Sequence, residues 1–332
     1  MTREQAAAAQ FGISPSKITT VRRAFKIASD KGTFALKESR QSKTGILFIH
    51  AAKEYLYKQG TTNIDRYILS PDESPYVDID GHLFVMSSWV ESREAHYDSP
   101  SDVIPAAENL AELHQSARGF APPTVPERIW WGAWPSLWQE RLDKLQQYKT
   151  IAEGQMAPSR FERRFLRHID RYCKQGQDAL EILLKSPYAE ITTRYQAVGS
   201  LCHHDYSERN VLFTGGQSIH LVDFDYCICD LPIHDLVNFL RRLAKFTNYN
   251  SHMACRVLTA YLDKNPLPQE ELQLFVPLWL WPQKFWEVAH QFYGEKRVRS
   301  RGTYLDRLRR RCRTRDKEQR LLENVVSAFQ LA

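Results

Sequence analysis

The sequence predicts an α+β protein in which a small antiparallel sheet comes first and a larger, mainly helical part follows. Over residues 1–91, short apolar runs rich in β-forming residues are separated by turn residues, as in hairpins. Over residues 92–332, apolar residues recur at spacings of three and four through long stretches, as in helices. With 332 residues, 43% of them hydrophobic, the chain is long enough for two such parts. We expect a sheet lobe over residues 1–91 and a helical lobe over residues 92–332.

The sheet lobe begins with a short predicted helix over residues 4–11. A strand over residues 18–29 and a second over residues 34–39 then form a hairpin around the turn at residues 30–33. Lys37 lies in the second strand, directly after an apolar run. A strand lysine often faces solvent, but this apolar neighbourhood favours an inward side chain.

A predicted helix over residues 46–59 and a hairpin over residues 76–90 complete the lobe. Glu54 lies on this helix, seventeen residues after Lys37, and is our candidate for the carboxylate that pairs with Lys37. A surface role is the alternative for a helical glutamate.

The helical lobe contains an apolar helix over residues 99–117, on which we expect His114 to be a packed side chain. Four tryptophans at or near the start of the following helix would form a stacking surface or part of the core, and the core is favoured: Trp130, Trp131, Trp134 and Trp138. Further helices are predicted over residues 137–152, 159–184, 236–247, 251–263, 269–292 and 303–329.

Residues 201–225 carry the strongest functional signal. The pattern His203-x-Asp205-x4-Asn210 is followed by a hairpin and then by Asp223-Phe224-Asp225. Kinase-like phosphotransferases use this order and spacing, because phosphoryl transfer requires bound Mg²⁺ and one carboxylate that orients and deprotonates the attacking hydroxyl. Asp205 is the candidate base, and Asn210 and Asp223 are the candidate Mg²⁺ ligands.

These residues resemble a known superfamily. HHDYSERNVLF (residues 203–213) followed by LVDFDY (residues 221–226) resembles the aminoglycoside phosphotransferase and choline kinase-like enzymes. Within that superfamily the chain looks most like the CotS-type spore coat proteins. This narrower likeness lies in three stretches, residues 31–38, 132–150 and 281–294.

The resemblance implies a bilobal protein kinase-like fold that uses ATP and Mg²⁺. It implies that Lys37 contacts the phosphates with Glu54 as its partner, and that backbone groups of Ser88 and Val90 contact the adenine. It also implies that an aspartate at 230 or 235 braces the catalytic loop, residues 203–210. The chain departs from protein kinases at two places, with His204 in place of arginine and Asp225 in place of glycine, and it has no glycine-rich loop.

We therefore expect a phosphotransferase whose partner is a small-molecule hydroxyl acceptor. Other spore coat proteins are further expected partners. The expected location is the cytoplasm of the mother cell, with deposition on the spore coat as a second location. Two alternatives stay open, a structural coat protein that keeps the fold with little or no turnover and an antibiotic-modifying kinase.

The net charge of +6 is concentrated near the C-terminus, where residues 296–320 contain twelve Lys or Arg and three acids. The Arg-rich segment at residues 297–315 is compatible with nucleic-acid binding, but it carries no recognition motif, so an exposed helix face or a protein-docking patch is favoured. The six cysteines show no metal-binding spacing and are expected to be free thiols. Neither a membrane span nor a signal peptide is expected.

Overall fold

The computed structural model describes residues 2–215, 218–295 and 301–331. The chain forms two compact units. Unit 1 comprises Met1–Ile129 and Val198–Asp235, and unit 2 comprises Trp130–Ala197 and Leu236–Ala332. The expected lobe boundary at residue 91 stays a prediction, whereas the α+β class with a small antiparallel sheet is confirmed.

Unit 1 contains a five-stranded antiparallel sheet with the order β1-β2-β3-β5-β4. Its strands are β1 (Lys17–Val21), β2 (Ala24–Ser29), β3 (Gly32–Glu38), β4 (Val77–Ile79) and β5 (His82–Ser88). The predicted strand over residues 18–29 is in fact two strands. Arg22 has a positive φ of 57°, and the chain reverses there so that β1 pairs with β2.

Unit 1 also contains two helices that precede β4 in the sequence. Helix α1 (Arg3–Gln10) begins at Thr2, which forms a capping box with Gln5. Helix α2 (Lys43–Lys58) begins at Ser42, whose hydroxyl accepts a hydrogen bond from the Gly45 N–H. Apolar residues of α1, of the turn that follows it and of the sheet form a buried core that consists of Ala7, Ala8, Phe11, Ile13, Ile27, Leu36, Val77, Ile79, Phe84 and Met86.

A second, three-stranded sheet lies in unit 1 with the order β6-β7-β8. It consists of β6 (Arg93–Glu94), β7 (Val211–Phe213) and β8 (Ile219–Leu221). The hairpin predicted between the two halves of the motif is therefore present, although the turn residues 216 and 217 lie outside the described residues. Helix α3 (Pro100–Ser116) follows β6, as predicted.

Gly199 allows a close backbone contact just before the predicted catalytic loop. Its φ is +90°, and an added Cβ would lie 2.4 Å from the carbonyl oxygen of Phe120. A side chain at this position would collide with backbone that cannot give way. The glycine thus fixes the course of the chain that leads into the loop.

Most of unit 2 is helical. Its helices are α4 (Trp134–Glu153), α5 (Arg160–Lys185), α6 (Tyr188–Val198), α8 (Ser251–Lys264), α9 (Gln269–Leu272), α10 (Phe275–Leu280), α11 (Gln283–Tyr293) and α12 (Arg301–Phe329), and α7 (Pro232–Phe246) runs along the chain across the unit boundary. Helix α6 is not among the helices predicted from the sequence. The helix predicted over residues 269–292 is three helices, because Pro277 is tolerated only near a helix start and Pro282 precedes α11.

Aromatic rings build much of the unit 2 core. Trp138 stacks on Trp281 at 4.7 Å between ring centroids, and Trp134 stacks on Tyr188 at 4.8 Å. Trp134 and Trp138 are buried, whereas Trp130 and Trp131 are half-buried. The favoured interpretation of the tryptophans as core residues is therefore confirmed for Trp134 and Trp138.

All six cysteines are free, as predicted, and four of them are buried: Cys173, Cys202, Cys227 and Cys229. Within the described ranges, none of the helices combines the length and the apolar character that crossing a membrane requires.

Candidate active site

The hairpin of β7 and β8 brings the two halves of the sequence motif together in unit 1. Val211 pairs with Leu221, so the end of the loop at Asn210 lies beside the start of the segment at Val222. The Val222 N–H donates a hydrogen bond to the Asn210 carbonyl at 3.0 Å. Residues that are twelve positions apart in the sequence thereby become backbone neighbours.

Lys37 lies on β3 and reaches this segment through its ammonium group. Its Nζ lies 2.6 Å from Asp223 Oδ1 and 2.8 Å from Asp225 Oδ2. Burial alone would lower the pKa of Lys37, but the carboxylates of Asp225 and Asp223 outweigh it, and the pKa is raised. Burial would likewise raise the pKa of Asp223, and Lys37 holds that pKa below its usual value. The predicted inward orientation of Lys37 agrees with this geometry.

Asp205 and Asn210 are in direct contact within the catalytic loop. The Asn210 Nδ2 donates to the Asp205 carbonyl at 2.9 Å and to Asp205 Oδ2 at 3.0 Å. Asn210 is 6% exposed, so its amide is held in one place. The two bonds use only the nitrogen of the amide and fix the direction of its oxygen.

Asp235 holds the backbone of the catalytic loop in place. It lies in the first turn of α7 rather than at its N-cap. Its carboxylate accepts hydrogen bonds from the His203 N–H at 2.6 Å and the His204 N–H at 2.8 Å. His204 has a positive φ of 64°, which is uncommon for a residue other than glycine. Burial alone would raise the pKa of Asp235, but its hydrogen bond with His114 and the nearby histidines lower it to about 2.

His114 is buried, as predicted, and its Nε2 lies 3.3 Å from Asp235 Oδ2. His114, Cys202 and Asp235 place potential metal-ligating atoms within 4.8 Å of one another. However, the Asp235 oxygens already accept two backbone hydrogen bonds, and the Cys202 thiol lies 3.3 Å from the Leu231 carbonyl. This cluster is therefore a hydrogen-bonded brace for the loop.

The structure does not pair Glu54 with Lys37. Glu54 instead forms two hydrogen bonds with Arg66, at 2.9 and 2.6 Å. Successive positions of an α-helix are rotated by about 100°, so the inward-facing neighbour on α2 is Lys53 rather than Glu54. The pairing inferred from the sequence is corrected accordingly, and a role for Glu54 in cofactor binding stays a prediction.

Lys53 and Asp65, which are not among the predicted site residues, lie next to the backbone of Asp223. Lys53 is 1% exposed, and its Nζ lies 2.9 Å from Asp65 Oδ1. Asp65 Oδ2 accepts a hydrogen bond from the Asp223 N–H at 3.1 Å. A signal for Lys53 was present in the sequence, because it occupies the apolar stripe of α2 between Ile49 and Leu56.

Arg128 is a third residue that the sequence reading did not identify. Its guanidinium donates hydrogen bonds to the Asp225 and Cys227 carbonyls at 2.7 and 2.9 Å, and to Gln41 Oε1 at 2.6 Å. It thus fixes the backbone that follows the two carboxylates. No local pattern in the sequence marks this long-range contact.

Ser88 and Val90, predicted to contact adenine through their backbones, lie at the end of β5. Ser88 pairs with Phe34 of β3, and the Trp89 N–H donates to the Thr33 carbonyl at 2.9 Å. The strand pairing therefore fixes this stretch of backbone on the same sheet that carries Lys37.

Three of the solved structures similar to this chain are described as phosphotransferases or kinases of small molecules. Across 100% of this chain and 98% of the other, it matches an aminoglycoside phosphotransferase from Alicyclobacillus acidocaldarius with a TM-score of 0.83 and 20% identity. It also matches the spectinomycin phosphotransferase APH(9)-Ia, solved with ADP and spectinomycin (TM-score 0.64, 12% identity, 91% of each chain). The amicoumacin kinase hAmiN, solved with AMP-PNP and Ca²⁺, matches with a TM-score of 0.64 and 18% identity over 94% of this chain and 91% of the other. The bilobal protein kinase-like fold is confirmed.

Sequence comparison gives the narrower relationship. The chain is 22% identical to spore coat protein S of Bacillus subtilis over 277 residues, which are 82% of this chain and 77% of the other. Residues 4–325 match the family described as "Spore coat putative kinase YutH". This match covers nearly the whole chain, and the protein therefore belongs to that spore coat kinase family.

Proposed function

We propose that this protein is an ATP- and Mg²⁺-dependent phosphotransferase that acts on a hydroxyl group of a small molecule. The observation that carries the proposal is the convergence of Lys37, Asp223 and Asp225 beside the loop that holds Asp205 and Asn210. This set contains the cation for phosphates, the oxygen ligands for a metal and the carboxylate for a hydroxyl. A kinase fold that has lost turnover commonly lacks one of these parts.

Asp223 and Asn210 are the residues that would hold Mg²⁺. Carboxylate and amide oxygens are hard ligands of the kind that Mg²⁺ accepts, and Asp223 already lies against a cation, the ammonium group of Lys37. When bound, Mg²⁺ would neutralise charge that develops on the phosphates. Lys37 would then pair with phosphate oxygens, and the backbones of Ser88 and Val90 would contact the adenine.

Asp205 is the proposed base that accepts the proton of the acceptor hydroxyl. Its carboxylate is held by the Asn210 amide at 3.0 Å, and the loop around it is anchored by Asp235. A base that is fixed in position needs only an acceptor within hydrogen-bond reach. The ligands named for similar structures, spectinomycin and amicoumacin, support a small-molecule acceptor and keep an antibiotic-modifying kinase as a substrate variant of this proposal.

A structural role in the spore coat is the second candidate, and its support is the similarity to spore coat protein S. In that case the partners would be other coat proteins and the protein would be deposited on the coat after synthesis in the mother cell. The two candidates are compatible, because a coat protein can also be an enzyme. Catalytic turnover of ATP distinguishes an enzyme from a purely structural coat protein.

The test is a thermal-unfolding assay with ATP in the presence of Mg²⁺ and in the presence of EDTA. A ligand that binds only the folded state raises the melting temperature, so we expect ATP to raise it only when Mg²⁺ is present. Equal shifts under both conditions would contradict the metal assignment. A panel of hydroxyl-bearing metabolites and antibiotics, with ATP consumption as the readout, then tests turnover, and no consumption across the panel would leave the structural candidate.

A further inference from the structure

An ion pair between a buried lysine and a partly buried aspartate lies next to the Asp223 backbone and is not explained by the roles described above. Lys53 on α2 is 1% exposed, and its Nζ lies 2.9 Å from Asp65 Oδ1 and 2.8 Å from the Asp65 carbonyl. The ammonium also lies over the ring of Tyr67, 3.9 Å from its centroid. Removing the charge of Lys53 from water costs several kcal/mol, and a packed apolar side chain often serves stability equally well. The pair therefore calls for an explanation other than stability.

The backbone around Asp65 shows where the pair acts. The Asp65 N–H donates to the Leu221 carbonyl at 3.1 Å, and the Leu221 N–H donates to the Asn63 carbonyl at 2.9 Å. Residues 63–65 thus run beside the end of β8. This pairing places the Asp65 carboxylate next to the Asp223 N–H, which donates to Oδ2 at 3.1 Å.

Asp223 needs such an anchor because its backbone is in the left-handed region, with φ 66° and ψ 62°. This conformation is uncommon for residues other than glycine, although aspartate tolerates it better than most. His204 in the catalytic loop has the same feature, and its N–H is held by the carboxylate of Asp235 at 2.8 Å. Each half of the motif thus contains a left-handed residue whose N–H is held by an aspartate with little exposure to solvent.

We propose that Asp65 and Lys53 are positioning residues that hold Asp223 in its left-handed conformation and thereby set the affinity of the site for a divalent cation. Asp65 accepts the Asp223 N–H, and Lys53 fixes the carboxylate of Asp65 through its other oxygen. Neither residue contacts the metal in this arrangement. The part that concerns the cation rests on the proposed function, whereas the part that concerns the Asp223 backbone does not.

The first experiment uses the full chain without nucleotide. Amide hydrogen exchange, resolved to single residues, compares the wild type with Asp65→Ala and with the double variant Lys53→Met/Asp65→Ala, which avoids an unpaired buried ammonium. We expect exchange of the Asp223 amide to accelerate by about tenfold or more, the effect of losing a hydrogen bond to a charged acceptor. The Val222 amide, which donates to the Asn210 carbonyl, should change much less. Unchanged exchange at Asp223 would overturn the proposal.

Asp102→Ala is the matched control. Asp102 also lies in unit 1 with 5% of its side chain exposed, pairs with Arg93 and accepts the His96 N–H at 2.9 Å. Its loss also removes an ion pair, here with the exposed Arg93, and a backbone hydrogen bond to a carboxylate, but away from Asp223. We expect this variant to change exchange at His96 and to leave the Asp223 amide as it is in the wild type.

The second experiment measures ATP binding with Mg²⁺ and with EDTA for the same variants. Loss of an outer-shell partner typically weakens metal affinity by about 10- to 100-fold, so we expect a loss of this size in the Mg²⁺-dependent part of binding only. A lower melting temperature with unchanged Mg²⁺ dependence would show a purely structural role and overturn the inference. If the wild type shows no Mg²⁺-dependent binding, the proposed function fails, and the exchange experiment still decides whether Asp65 anchors Asp223.

Discussion

At the scale of the residue, the contact between Asp205 and Asn210 fixes the orientation of the candidate base within the catalytic loop. The Asn210 amide bridges the carbonyl and the carboxylate of the same aspartate, at 2.9 and 3.0 Å. A carboxylate that acts as a general base must meet a hydroxyl with a fixed direction. The amide supplies that direction before an acceptor arrives.

Replacing Asp205 by asparagine tests this role directly. The variant Asp205→Asn keeps the shape of the side chain and removes its negative charge, so we expect kcat to fall by about 10²-fold or more while Mg-ATP affinity is retained. Steady-state kinetics with an acceptor from the panel, together with ATP titrations, measure both quantities. Glu208→Gln, a neutralisation in the same loop, is the control and should keep its activity. Turnover that survives in Asp205→Asn would remove Asp205 from the role of base.

The sequence was sufficient to predict the motif residues, because their types and spacing are dictated by the chemistry. It was not sufficient to predict their supports. Lys53 could have been noticed as a lysine within an apolar helical stripe, but its partner Asp65 is defined by a strand-like contact with Leu221 that no local pattern encodes. Residue type alone suggests Glu54 as the partner of Lys37, whereas in the structure Glu54 pairs with Arg66.

At the scale of the element, the start of α7 acts as the support of the catalytic loop. Asp235 in its first turn is 1% exposed and accepts two consecutive backbone N–H groups, those of His203 and His204. Hydrogen bonds to the charged form of a carboxylate favour ionisation. The loop and the helix are therefore coupled through one ionised side chain.

Acid should weaken this coupling. Because burial is outweighed by the hydrogen bond with His114 and by nearby histidines, the pKa of Asp235 is about 2 in the folded protein against 3.8 for an unperturbed aspartate. The contribution of Asp235 to stability is thus fully present above pH 3.8 and is lost as the pH falls toward 2. It amounts to about 2 kcal/mol.

Urea unfolding between pH 2 and 6 measures this contribution. The free-energy difference between the wild type and Asp235→Asn should shrink as the pH falls below the unperturbed value of 3.8. Asp72→Asn, a change at an exposed carboxylate, should show a much smaller pH-dependent difference. A difference for Asp235→Asn that stays constant over this range would contradict the assignment.

Helices with a long apolar periodicity were predicted accurately from the sequence. Boundaries that depend on the conformation of a single residue were not. Helix α5 was expected over residues 159–184 and runs over Arg160–Lys185, with a capping box at Ser159. Helix α6 was missed because its eleven residues show a weak apolar pattern between two loops. The break at Arg22 was missed because a positive φ at arginine has no signature in the sequence.

At the scale of the whole molecule, charge is divided between the two units. Unit 1 has 16 Lys or Arg and 22 Asp or Glu, and unit 2 has 29 and 17. Much of the positive charge lies on α12, although this helix also buries six apolar side chains: Tyr304, Leu305, Leu308, Leu321, Leu322 and Val325. The C-terminal segment is therefore part of the unit 2 core as well as a charged surface.

Two C-terminal variants separate packing from charge. Deletion of residues 297–332 should lower solubility, because each buried apolar side chain contributes about 1.5–3 kcal/mol and its partners would be exposed. The variant Arg310→Gln/Arg313→Gln/Arg320→Gln changes only exposed side chains and should remain soluble, with a melting temperature close to that of the wild type. Equal loss of solubility in both variants would assign the effect to charge.

The same triple variant also tests whether the basic face of α12 binds nucleic acid. We expect the wild type to show no tight DNA or RNA binding, so the substitutions should change little in a binding assay. An affinity that falls steeply with salt in the wild type, and disappears in the variant, would establish the basic face of α12 as a nucleic-acid site.

The position of Lys37 between two carboxylates has a consequence for how a nucleotide would enter. Before ligand arrives, the ammonium serves as an internal counterion for Asp223 and Asp225, at 2.6 and 2.8 Å. Under the proposed function, Asp223 would instead help to hold Mg²⁺ and Lys37 would pair with phosphate oxygens, so nucleotide binding would exchange one set of charged partners for another. Because Lys37 offsets one of the two carboxylate charges, the site carries less net charge than a bare pair of aspartates would, and its affinity should depend correspondingly less on ionic strength.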